Sequence, residues 1–201
     1  MKRREILKLI ASGPVAASFA WTRAEALRAQ GLAQSARAEA LASGEAFQPS
    51  FFTPREFDTV RVLVDMILPA DERSGAATEA GVPEFMDFMM QEDAERQTAM
   101  RGGLAWLDAQ CRKRFSRPFV EASEGERAAL LDDIAWPERA PAEMSHGVAF
   151  FNSFRDLTAS GFWTTKIGMA DLQYLGNEFV PEWMGCPEEA LKKLGVRYSE
   201  E

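Results

Sequence analysis

The chain has 201 residues, with 23 Lys and Arg against 31 Asp and Glu and a formal charge of −8, an acidity that argues against nucleic acid as a partner. Its two cysteines form no cluster for an iron–sulfur centre, neither lies at metal-ligand spacing from the single histidine, and no C-x-x-C-H haem attachment sequence occurs. About 180 residues follow the first twenty, enough for one domain with its own core.

Residues 1–21 read as a targeting segment. Lys2, Arg3, Arg4 and Lys8 make a basic head, and the apolar run from Ile6 to Trp21 is interrupted by Lys8, Gly13 and Pro14. That run is too short and too broken to cross about 30 Å of hydrocarbon as a stable span. The order Arg3-Arg4-Glu5-Ile6-Leu7-Lys8 is the twin-arginine arrangement, in which the paired arginines, an apolar residue, leucine and lysine address a folded protein to bacterial export. The expected location is therefore the periplasm, reached through the twin-arginine translocase. Ala20, with the small Ser18 two residues before it, is a candidate cleavage point. Residues 21–201 then hold 19 bases against 30 acids, a net of −11.

Residues 22–50 are rich in alanine, with Leu27, Leu32 and Leu41 scattered among polar residues. They predict a weak helix or an extended arm that either frays or lies along something else. The single domain is expected over 51–201. Thr53-Pro54-Arg55-Glu56 is a helix start with a capping box, with Phe52 at the staple position. Phe57, Val60, Leu63, Val64 and Ile67 then form a buried stripe, while Asp58 and Asp65 read as exposed acids. Residues 70–82 read as a polar loop. Pro83 opens a short helix through Phe85, Met86, Phe88 and Met89.

A long helix is predicted from Ala94 to about Phe115, with Met100, Leu104, Leu107 and Cys111 inward and Trp106 beside them. Gly102-Gly103 weakens it by about 1 kcal/mol per glycine and points to close approach of another helix. Ser123 and Glu126 form a second capping box ahead of Leu130, Leu131 and Ile134. Ser145 is expected to cap a helix carrying Phe150, Phe151, Phe154 and Leu157, closed by Gly161. From 161 to 187 the glycines, prolines and aromatics follow no regular period, so this stretch is expected to be irregular and to dock its aromatics on the helices or on a partner. Glu188 to Leu194 is a last short helix, with Leu191 and Leu194 inward. The expected fold is all-α, a small irregular helical domain with a long aromatic-rich segment before a short C-terminal helix.

No G-x-S-x-G, Walker or G-x-G-x-x-G sequence occurs. His146 has no partner histidine and reads as a neutral structural or interface residue. Cys111 and Cys186 could form one disulfide in an oxidising compartment, the alternative being two separate thiols. No catalytic, cofactor-binding or metal-binding residue is expected in this chain. A folded-export signal on a chain with no evident cofactor site suggests that it carries a cofactor-containing partner. A free-standing periplasmic scaffold or binding protein is the alternative, and an enzyme in its own right a weaker one.

Phe52-Thr53-Pro54-Arg55-Glu56, Ile67-Leu68-Pro69-Ala70, Gly81-Val82-Pro83, Phe150-Phe151 to Gly161-Phe162, Tyr174-Leu175-Gly176-Asn177 and Pro181-Glu182-Trp183-Met184-Gly185-Cys186-Pro187 together resemble the gluconate 2-dehydrogenase subunit 3 family. That resemblance covers about 50–187. It implies a small non-catalytic subunit of a periplasmic dehydrogenase acting on sugars, sugar acids or glycosides, whose large subunit is of the glucose–methanol–choline type and holds FAD. It also implies a haem c protein that takes electrons onward. The expected partner interface is the 161–187 stretch, with Trp163, Tyr174, Phe179 and Trp183 as anchors and Asn177 satisfying turn or interface backbone. The alternative is that these aromatics cover helices of their own chain.

Overall fold

The computed structural model describes residues 20–91, 93–173, 181–182 and 185–198, and among them the chain is helical without a strand. The all-α expectation holds. Helix α1 spans Arg23–Ser43, α2 Pro54–Ile67, α3 Ala77–Ala80, α4 Val82–Met90 and α5 Ala94–Phe115. They are followed by α6 at Glu124–Ala135, α7 at Ser145–Trp163, α8 at Lys166–Asp171 and α9 at Glu188–Leu194, with short 3-10 turns at Phe119–Glu121 and Ala142–Met144.

Local chemistry sets several starts. Thr22, Thr53 and Ser123 each accept a hydrogen bond from the backbone N–H three residues on, and Glu25, Glu56 and Glu126 return the bond to the cap backbone. The stretch after residue 21 is thus a full helix, not an extended arm. It presents a face of small residues, Ala26, Ala29 and Ala33 with Gln30, and lays that face along α4. Hydrophobicity does not mark this face; side-chain size does.

Helix α7 lies at the centre and meets every helix from α1 to α8. Phe150, Phe154, Leu157 and Phe162 are buried along it, joined by Phe85, Met86, Leu107, Phe119 and Leu130 from its neighbours. The crossing of α5 and α7 is reciprocal. A Cβ on Gly103 would fall 1.9 Å from the Phe150 ring, and one on Gly147 would fall 2.2 Å from the Trp106 ring. Each helix removes a side chain where the other inserts a ring, so the two approach more closely than ordinary side chains allow.

Several expectations need correction. Residues 70–82 contain α3, because Asp65 on α2 accepts from both the backbone N–H and the hydroxyl of Thr78, each at 2.8 Å. Asp65 is therefore a half-buried capping acid, not an exposed one. Ser145 is the first residue of α7, which is entered from a 3-10 turn with Met144 at the cap. Gly161 lies inside α7, where a Cβ would sit 2.6 Å from the Phe85 ring, and the helix continues to Trp163. The first part of 161–187 is thus helical, α8 included. Leu194 is 72% exposed, since α9 buries none of its residues.

The chain between α1 and α2 is held by one buried acid. Asp87, fully buried on α4, accepts from the N–H groups of Ser50, Phe51 and Phe52 at 2.9, 2.9 and 3.0 Å. Three successive amides closed on a carboxylate fix the entry into α2. Arg101 adds a bond to the Phe51 carbonyl at 3.0 Å, its guanidinium standing 4.5 Å from the centre of the Phe51 ring.

The two adjacent glycines of α5 make a paired test. Gly102 has open space around it, so Gly102→Ala should stabilise the fold by about 0.5–1 kcal/mol. Gly103→Ala should destabilise it by about 1–3 kcal/mol, because the Phe150 ring must move. Chemical denaturation of both variants checks the opposite signs.

Candidate functional site

Two regions bear on the expected function: the start of α1, which follows the N-terminal segment in sequence, and the bend between α7 and α8, which begins the expected interface. Arg3, Arg4, Ile6, Leu7 and Lys8 lie outside the described residues, as do Tyr174, Asn177, Phe179 and Trp183. Trp163 is described, at the end of α7.

At the start of α1, Arg96 closes a clasp. Arg96 is 4% exposed, and its guanidinium donates to the carbonyls of Met89 at 2.8 Å and Ala20 at 3.0 Å. It also pairs with Glu25 at 3.1 Å and Asp93 at 3.5 Å. Glu25 itself accepts from the backbone N–H and the hydroxyl of Thr22. Those bonds, the backbone one foremost, with Arg96 beside them, hold the Glu25 carboxyl down at about 2. The sequence carries no local sign of this clasp, since Arg96 looks like one more charged residue in the first turn of a long helix.

At the other region, Thr165 caps α8 by accepting from the Gly168 N–H at 3.0 Å while its hydroxyl donates to the Phe162 carbonyl at 2.7 Å. Gly168 lets α8 fold onto the end of α7, because a Cβ there would meet the Phe162 carbonyl oxygen at 2.2 Å. This bend holds Trp163 edge-on to buried Phe162, with ring centres 5.9 Å apart. Trp163, Met169 and Leu172 are 36, 44 and 57% exposed, three apolar side chains open to solvent around the bend and the end of α8. Arg73 secures α8 through the Asp171 carbonyl and an ion pair with its carboxylate at 3.5 Å.

The Cys111–Cys186 bridge is not formed. Cys111 is fully buried on the inner line of α5, whereas Cys186 is exposed, its backbone N–H donating to the Tyr198 hydroxyl at 2.7 Å. Burial, aided by Asp108 and Glu126, pushes the Cys111 thiol up to about 11. His146 is exposed as the second residue of α7. Among the described residues no group of three or more His, Cys, Asp or Glu is placed to hold a metal ion, and no helix is long and apolar enough to cross a membrane.

A family model described as Gluconate 2-dehydrogenase subunit 3 matches residues 54–181. Neither the curated proteins nor the solved structures give a match.

A thiol reagent at mildly alkaline pH should modify Cys186 in the folded chain and reach Cys111 only after denaturation. Two fast thiols in the native protein would contradict the burial of Cys111. Glu25→Gln should loosen α1 at neutral pH, read as faster amide exchange over Arg23–Ser43. Because the folded carboxyl titrates below its unfolded value, its contribution is complete above the ordinary carboxylate range. It fades as pH falls toward about 2, and the difference between variant and wild type should shrink with it.

Proposed function

The chain belongs to the gluconate 2-dehydrogenase subunit 3 family, and on that premise we propose that it is the non-catalytic small subunit of a periplasmic dehydrogenase that oxidises sugars, sugar acids or glycosides. The observation that carries this reading is the family match itself, which spans α2 through α8 and so takes in the central helix and most of what packs on it. The catalytic partner is a flavoprotein of the glucose–methanol–choline type holding FAD, with a haem c protein as the onward electron acceptor. In this arrangement the small subunit stabilises the flavoprotein and carries it through twin-arginine export with Arg3 and Arg4 as the address.

Two features of the chain support the carrier role. The segment bearing the address joins the folded body directly, since Ala20 is already held by Arg96. The bend carries three exposed apolar side chains, Trp163, Met169 and Leu172, just ahead of the aromatic-rich stretch in sequence, as a partner-facing region requires.

Changing both Arg3 and Arg4 to lysine, in cells that co-express the flavoprotein, should abolish periplasmic dehydrogenase activity while the complex accumulates in the cytoplasm. Undiminished periplasmic activity would overturn the carrier role.

A further inference from the structure

Glu84 sits in the first turn of α4 and is 8% exposed, and its Oε2 is buried with no hydrogen-bond partner among the described residues. Withdrawing a carboxylate oxygen from water without replacing its bonds is unfavourable, so such a group calls for a donor supplied from elsewhere. Glu84 lines an open groove of about 460 Å³ formed by the C-terminal end of α1, the turn that follows it and the start of α4.

The rest of the lining narrows the choice of donor. Leu41, at 82% the most exposed large apolar side chain of the described residues, and half-buried Phe47 give the groove an apolar rim. Phe47 is itself fixed, its ring packed near Phe57 and Phe88 at 5.7 and 6.2 Å between centres. Glu45 adds a second acid. Arg37 also lines the groove, but its guanidinium donates to the carbonyls of Thr78 and Glu79 at 3.3 and 2.9 Å. It lies over Gly81, whose left-handed φ of 86° turns the chain from α3 into α4. Arg37 is therefore committed to the α3–α4 corner and does not satisfy Glu84.

Two carboxylates without a third ligand do not suit a metal ion, and an apolar rim above a buried acid does not suit an anion. A long aliphatic stem ending in a cation fits both parts. We propose that this groove is a docking site for a lysine or arginine side chain of the catalytic subunit. Its stem would lie on Leu41 and Phe47, and its charged head would balance the Glu84 carboxylate at the edge of the groove, with Glu45 beside it. This assignment rests on the subunit reading above and adds a contact surface on the face formed by α1 and α4, distinct from the bend at Trp163.

The test compares wild type, Glu84→Gln and Leu41→Asp chains, each co-expressed with the flavoprotein, by dissociation constant at low and high salt. Amide exchange over 37–47 and 82–86 is followed in the free chain and in the complex. Glu84→Gln preserves shape and Leu41→Asp changes an exposed side chain, so both should fold. Each should weaken the complex by about tenfold or more, Glu84→Gln should also flatten the salt dependence, and the wild-type groove should gain amide protection on binding. Wild-type affinity and salt dependence in both variants would overturn the groove assignment while leaving the subunit reading intact. A wild-type chain that retains no flavoprotein would overturn the subunit reading and the groove with it.

Discussion

Close approach of α7 to its neighbours is the constraint on which the rest of the fold depends. Gly103 receives Phe150, Gly147 receives Trp106 and Gly161 receives Phe85, so three aromatic rings key one helix into two others. A fit of this kind tolerates little sliding, because moving any ring by one helical turn would drive it into a side chain. The other helices from α1 to α8 pack around α7. They cover a centre already fixed, and each needs only enough apolar surface to seal its own side of α7.

Polar tethers do what apolar stripes cannot in the irregular parts. Asp87 gathers three backbone amides ahead of α2, Asp65 starts α3 and Arg96 collects carbonyls from two different segments. Each joins a side chain to backbone that has no helical partner, the kind of group that must be satisfied when buried. The connections between helices are consequently determined by single residues, and their loss would loosen a loop before it loosened the core.

The readable part of this architecture is the part encoded within one or two turns. The capping boxes at Thr53 and Ser123, the stripe of α2, the inward line of α5 and the aromatic stripe of α7 are all local patterns, and the structure contains each of them. Helix α3 was illegible because its stabilising acid lies 13 residues away, and Asp87 because its amide partners lie 35 to 37 residues away. Its place within the otherwise apolar run Val82–Met90 was a signal that could have exposed it. The extension of α7 through Gly161 was hidden because a glycine that ends a helix and one that admits a ring look alike in sequence. On the functional side, Trp163 stands out in sequence as a member of an aromatic-rich stretch, whereas Glu84 and Arg96 carry no such signal. Whether a charged residue is buried is decided by elements that meet only in three dimensions.

Helix α1 has a different standing from the others. It lies closely along α4 through alanines and a glutamine, which remove little apolar surface per residue, and Arg96 and Arg37 fix its two ends. The seam between α1 and α4 is therefore set by side-chain size rather than by apolar area, and a larger residue at Ala26, Ala29 or Ala33 would push the two helices apart along their length.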